Sequence, residues 1–256
     1  MNISSINSQN IYTNYQQLAS GKRINSAADD AAGLAIAKKL ETQGNGYDVG
    51  KDNAATAQDM INVADGALGS ITDYLQRIRE LSVQASNTAV YGNSEIGAIQ
   101  AEIDQLKQGI KDVAGTTQFN TKNLLDGNTT GLNVASNPDG SGLQVSMPNS
   151  TLEKLGIADY DVTGNFDIST IDKALDMVSS ARGNLGATSN RLDNIINFNS
   201  YASYNMRASQ SRIEDTDFAK SITDLKKNSI LEQYRLMMQK KHMQSSADGI
   251  VRLIRG

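Results

Sequence analysis

The stretch AQDMINVADGALGSITDYLQRIRELSVQA, residues 57–85, decides the fold. Its apolar residues fall at Ala57, Ile61, Ala64, Leu68, Ile71, Leu75, Ile78 and then Leu81 or Ala85, with gaps that alternate between four and three. That heptad spacing keeps one seam of an α-helix turned toward a partner. A repeat of about 3.5 residues, shorter than the turn of a straight helix, implies a gentle left-handed supercoil. At about 1.5 Å per residue the segment makes a rod roughly 45 Å long. One helix cannot bury such a stripe alone, and the chain supplies two partners. Over 96–113 the seam is Ile96, Ile99, Ile103, Leu106, Ile110 and Val113. Over 168–206 it is Ile168, Ile171, Leu175, Val178, Leu185, Leu192 and Ile196, with Arg182 and Ser189 on two further seam positions. The pattern predicts a mainly α protein, an elongated antiparallel bundle of long coiled-coil helices.

The punctuation around these helices is set by small and polar residues. Residues 1–19 carry only sparse apolar positions (Ile3, Ile6, Ile11, Tyr15, Leu18) and predict a short or frayed helix. Gly21 interrupts it, and Ser26 is the expected N-cap of the next helix, with Asp29 and Asp30 in its first turn. Gly44, Gly46 and Gly50 each weaken a helix by about 1 kcal/mol relative to Ala, which predicts a bend or break there and not a domain boundary. Asn87, Gly92 and Asn93 mark a turn, after which Ser94 is the expected cap. Residues 115–164 change character: Pro138, Pro148 and the alternating runs Leu132-Asn133-Val134 and Leu143-Gln144-Val145 read as β-hairpins. They turn the chain back, so the helix over 168–206 should run antiparallel to the first. The last piece, 213–254, is helical by composition. Its stripe of Ile222, Leu225, Ile230, Leu231, Tyr234, Met237, Met238, Ile250, Leu253 and Ile254 is broader than one neighbour needs. An assembling subunit buries such an excess apolar face against other copies.

Composition narrows the function classes. In 256 residues there are four Phe, nine Tyr and no Trp, which suits thin coiled-coil seams better than a deep core. A net charge of −4 argues against nucleic acid as a partner. There is no Cys and one His, His242 among lysines, so zinc sites and a serine–histidine–acid triad lack their residues, and neither an enzyme nor a cofactor is expected. The carboxylate pairs Asp29-Asp30 and Glu214-Asp215 read as helix-terminus residues, not acid–base pairs. No apolar run is long enough to span a membrane, and residues 1–17 lack the basic and apolar regions of a cleaved signal peptide.

Several motifs in order carry a family resemblance. LASGKRINSAADDAAGLAIA (18–37) resembles the N-terminal signature of bacterial flagellins, and TDYLQRIRELSVQASN (72–87) resembles their long central helix. IQAEIDQL (99–106), TTQFNTKNLLDG (116–127), NRLDNIINF (190–198), RASQSRIEDTDFAKS (207–221) and the closing IVRLIRG are similar to the segments that follow in that family. The resemblance implies a short flagellin with a truncated N-terminal helix and no outer variable domain. Its terminal coiled-coil region, the filament core in the family, would comprise 1–28 and 208–256, the two ends pairing. The helical rod would comprise 29–114 and 165–207, with 115–164 as its hairpin region.

The implied function is a structural subunit that self-assembles into the flagellar filament for swimming motility. It would lie outside the cell, exported by the flagellar type III route, with other flagellin copies, an export chaperone and the filament cap as partners. The alternatives are a hook–filament junction protein and a non-polymerising flagellin-like binding or signalling protein. The resemblance also places Gln76, Arg77, Arg79, Glu80, Leu81, Gln84 and Glu102 on the patch read by the host Toll-like receptor that senses flagellin. Read from spacing alone, Arg77 to Leu81 is a solvated helix face; the resemblance implies that assembly between subunits is its older use. Ile222, Leu225, Ile230, Leu231, Tyr234, Ile250, Leu253 and Ile254 would form the terminal assembly helix. That helix departs from the family's uncharged one: residues 226–256 hold seven Lys or Arg against two acids, a local +5.

Overall fold

The computed structural model describes the backbone of residues 3–129 and 131–255, and the side chains of 9, 11–129 and 131–250. Expectations that rest on the side chains of Ile3, Ile6, Leu253 and Ile254 lie outside the described residues. The elements in chain order are α1 (Ile3–Ser20), α2 (Ala31–Ala85), α3 (Asn93–Thr116), β1 (Gln118–Phe119), β2 (Lys122–Asn123), β3 (Leu132–Ala135), β4 (Gly142–Val145), α4 (Leu152–Leu155), α5 (Ser169–Glu214) and α6 (Phe218–Arg255). They form two compact units, Met1–Gly44 with Tyr204–Gly256 and Asn45–Ser203, where the sequence placed the divisions at 28 and 208. No helix among the described residues is long and apolar enough to cross a membrane.

In the unit Asn45–Ser203 the heptad seam of α2 is the core. Ala57, Ile61, Ala64, Leu68, Ile71, Leu75, Ile78, Leu81 and Ala85 are all buried. Ile99, Ile103 and Ile110 of α3 and Ile171, Val178, Leu185 and Leu192 of α5 complete it. Polar pairs at the rim show the direction of α5. Arg79 bonds Asp172 at 2.7 Å, Asp65 takes a two-pronged pair from Arg182 at 2.8 and 3.2 Å, and Gln58 donates to Asp193 at 2.7 Å. Numbers fall on α5 as they rise on α2, so the two are antiparallel. The polar seam positions Arg182 and Ser189 thus have partners: Ser189 lies 3.4 Å from the Gln58 amide.

Two antiparallel hairpins close the open side of this unit. β3 pairs β4 in the register Leu132↔Val145 and Val134↔Leu143, which places Val134, Leu143 and Val145 in the core. β1 and β2 are joined by Asn120 and Thr121, both at positive φ (46° and 64°), the backbone of a primed two-residue turn. The four-residue α4 was not foreseen; Thr151 caps its start and Gly156, in the left-handed region, its end.

Four local expectations are corrected. α2 runs unbroken through Gly44, Gly46 and Gly50, with the division between compact units at Gly44–Asn45. Gly46 and Gly50 serve close approach: a Cβ on Gly46 would lie 2.6 Å from Pro138 Cβ, and one on Gly50 would lie 2.2 Å from the Ser136 carbonyl oxygen. The hairpin rests directly on helix backbone, and its packing outweighs the helix cost of glycine. The N-cap of α2 is Asp30, whose Oδ1 accepts from Gly33 N at 2.8 Å; Ser26 sits in the preceding turn, where its N–H and that of Asn25 donate to Asp29. α3 starts after Gly92, whose N–H donates to the Glu95 carboxylate at 3.0 Å, so Ser94 lies inside the helix. Finally, α1 is a continuous helix over Ile3–Ser20, because α6 packs along α1 and supplies the burial that a lone segment lacks.

Candidate functional site

The unit formed by the chain ends is built around a clasp. α1 ends at Ser20, and Gly21 turns the chain at φ +70°, a conformation that an L side chain rarely adopts. The extended residues that follow bond to the end of α5. Arg23 N donates to Glu214 O at 2.6 Å, the Arg23 guanidinium donates to Ile213 O at 2.7 Å, and Thr216 N donates to Gly21 O at 3.0 Å. Lys22 Nζ meets Glu214 Oε1 at 2.7 Å, and Gln210 donates to the other carboxylate oxygen at 2.9 Å. The Lys22 hydrogen bond, followed by that from Gln210, holds the buried Glu214 carboxyl below the usual carboxylate range. The clasp also ends α5: the expected single helix from 213 is interrupted after Glu214, and Asp217 caps the new start by accepting from Lys220 N.

Both halves of this clasp lie inside motifs singled out in the sequence, SGKRIN and SRIEDTD, yet their pairing was not visible there. A lysine beside a glycine and a glutamate in an acidic run have ordinary local meanings. Only a separation of 192 residues closed by the fold makes them partners. The acidic pairs are structural, as their helix-end positions suggested: Asp29 and Asp30 organise the start of α2, and Asp215 accepts from Ser211.

α6 leaves that clasp with much of its apolar stripe uncovered. Ile230 is 64% exposed and Tyr234 60%, and Ile222, Leu231 and Ile250 are also exposed; Leu225 is half-buried. Leu236 joins them, a residue that the stripe read from sequence omitted. A folded chain keeps so many large side chains in water only where another surface covers them.

The second group of candidate residues lies on α2 and α3. Arg77 is held between two carboxylates, with Nε and NH2 donating to Glu102 at 3.0 and 2.8 Å and NH1 to Glu80 at 3.2 Å. These bonds, Glu102 first, raise the Arg77 guanidinium above its ordinary value. Arg79 bonds Asp172 of α5, Gln84 donates to the Tyr91 hydroxyl at 2.9 Å, and Gln76 is exposed. Leu81 does not share this surface. It is 2% exposed, because its place on the heptad seam turns it into the core.

Fold and site together define a class: long antiparallel helices around a thin apolar seam, with paired ends that carry an uncovered apolar face. The chain belongs to the bacterial flagellin family. Residues 1–130 match the bacterial flagellin N-terminal helical region and residues 168–248 the C-terminal helical region. It is 38% identical to a flagellin of Halalkalibacterium halodurans, covering 85% of this chain and 82% of that protein. Identity to a flagellin of Bacillus subtilis is 36%, covering 86% and 85%, and to the flagellar filament 30.7 kDa core protein of Treponema maltophilum 35%, covering 91% and 88%. Among solved structures, the crystal structure of Bacillus cereus flagellin is similar with a TM-score of 0.51 and 26% identity, over 57% of this chain and 88% of that one. The family is one of structural filament proteins, and the chain is not an enzyme.

Proposed function

We propose that this chain is a structural subunit of the extracellular flagellar filament, assembling with copies of itself or with related flagellins to drive swimming. The carrying observation is the uncovered apolar face of α6 beside its α1 pairing, in a chain related over most of its length to named flagellins. Its large side chains each contribute about 1.5–3 kcal/mol when buried, enough to hold subunits together without a deep interface. Export by the flagellar type III route, an export chaperone shielding the apolar tail and a filament cap receiving the subunit all fit this reading.

The test is sedimentation and negative-stain microscopy of purified protein, with and without seeds sheared from flagellin filaments. Filaments from the protein alone, or elongation of seeds, support the reading. Seeds that are capped without elongating would make it a hook–filament junction protein. A chain that pellets under no condition is the non-polymerising binding protein.

A second role is proposed for the patch of Gln76, Arg77, Arg79, Glu80, Gln84 and Glu102: an assembly face that the host Toll-like receptor for flagellin also reads. The exposed Arg77–Glu102 and Arg77–Glu80 pairs favour it, since they present fixed polar groups on a rigid helix pair. The burial of Leu81 removes one expected member. A receptor reporter assay on Arg77→Ala and Glu102→Ala decides. Responses equal to wild type from both variants would discard the receptor role.

A further inference from the structure

The sequence has eight Met and no Cys, so thioethers are its only sulfur. The fold sorts them sharply. Met60 and Met147 are core residues at 8% and 5% exposure, and Met206 is half-buried. Met237, Met238 and Met243 instead fall within seven residues of α6, exposed at 68%, 50% and 60%. Met177 on α5, at 40%, is a fourth accessible thioether outside that cluster. Ile230, Tyr234 and Met238 are spaced four apart, and Leu231, Tyr234 and Met238 three and four apart, so Met238 continues the uncovered apolar stripe.

We infer that Met237, Met238 and Met243 form an oxidation-sensitive switch for self-assembly, with hydroperoxides as the reagent. This rests on the filament-subunit reading above. The thioether sulfur attacks one peroxide oxygen and the O–O bond breaks. The sulfur is oxidised by two electrons to a sulfoxide, and the peroxide's other oxygen, taking those electrons and the proton of the transferred oxygen, leaves as water, or as an alcohol from an organic hydroperoxide. Thiols, which would otherwise consume the oxidant first, are absent from the sequence. The product is a polar, chiral group where the stripe needs a flexible apolar one. A free subunit therefore loses the surface by which it joins others. An assembled one keeps its sulfurs covered and reacts more slowly. The change is undone by methionine sulfoxide reduction, in which two thiols return the electrons and water leaves.

The experiment treats monomer with hydrogen peroxide, maps sulfoxides by peptide mass spectrometry and measures the critical concentration for elongating sheared filament seeds. The expected result is modification of Met237, Met238 and Met243 ahead of Met60 and Met147. The critical concentration should rise about tenfold or more. Treatment with a pair of sulfoxide reductases, one for each epimer, should restore growth. A variant carrying Met237→Leu, Met238→Leu and Met243→Leu should have the same critical concentration after peroxide as before it, each measured against that variant's own untreated value, while Met177→Leu should lose growth as wild type does. Oxidised wild type that elongates like untreated protein despite mapped sulfoxides overturns the inference and leaves the filament reading intact. So does a triple variant that peroxide still disables. Untreated wild type that never elongates seeds removes the filament reading and this inference with it.

Discussion

Replacing Gly50 by Ala is the sharpest test of how the hairpin sits on α2. In an ordinary helix the change should stabilise, by about 1 kcal/mol. Here the new Cβ would lie 2.2 Å from the Ser136 carbonyl oxygen, 2.7 Å from its carbon and 3.0 Å from Asn199 Nδ2. Two of these atoms are backbone and cannot swing aside, so the β3–β4 hairpin must lift. Lifting breaks the 2.7 Å bond from Asn199 Nδ2 to Ser136 O. Asn199 is buried, and its Oδ1 has no partner among the described residues, so the amide loses the hydrogen bond that satisfies it. An unsatisfied buried amide costs about 1–3 kcal/mol and an overpacked contact about the same again. Against the propensity gain, the net is a loss of about 1–5 kcal/mol, centred near about 3. For a unit of this size the central value lowers Tm by roughly 6–12 °C. Gly66, on the same helix but exposed with nothing within 4 Å of its Cβ position, is the matched control. Gly66→Ala should raise Tm by roughly 2–4 °C. Thermal melts followed by far-ultraviolet dichroism read both. If Gly50→Ala stabilises as much as Gly66→Ala, the hairpin does not rest on the helix backbone and the account of these glycines is wrong.

Three further outcomes are expected. Leu75→Asp puts a carboxylate at a fully buried seam position and should unfold the unit Asn45–Ser203, seen as lost helical dichroism; an unchanged melting temperature would contradict the bundle. The clasp should weaken in acid: Glu214 has a lowered folded pKa, so its contribution is complete above the usual carboxylate range and is lost as pH falls through the folded value. Glu214→Gln should cost about 1.5–3 kcal/mol at neutral pH and flatten the acid limb of a stability–pH curve, whereas an acid limb identical to wild type would show that Lys22 and Glu214 are not coupled. Thr121→Gly relieves a β-branched residue at φ 64° and should stabilise by about 1 kcal/mol, measured as a shifted urea midpoint at constant slope; no shift would mean that the turn carries no strain.

Much of the architecture was legible because it is periodic. The seam from Ala57 to Ala85 announces its burial through spacing alone, and every position in it is buried. The hairpin of Leu132–Ala135 with Gly142–Val145 was equally readable from alternation between turn residues. The exposed stripe on α6 could be suspected for the complementary reason that one neighbour could not cover it. Readings of single residues fared worse. Ser26 and Ser94 look like caps, but a cap depends on where the backbone turns, and Asp30 and Glu95 hold the donating N–H groups. Leu81 carried two readings, seam and surface patch, and a side chain on one helix face cannot serve both.

The sequence by itself therefore determined the helices, their antiparallel order and the family, since each follows from residue type repeated at a fixed interval along one segment. Tertiary structure alone decided three things: why Gly46 and Gly50 sit inside an unbroken helix, how Lys22 and Arg23 lock onto Ile213 and Glu214, and which methionines face water. The physical reason is the same in each case. Helix period is a property of neighbours in the chain, whereas close approach, a long-range ion pair and exposure depend on what the fold brings to the site from far away in sequence.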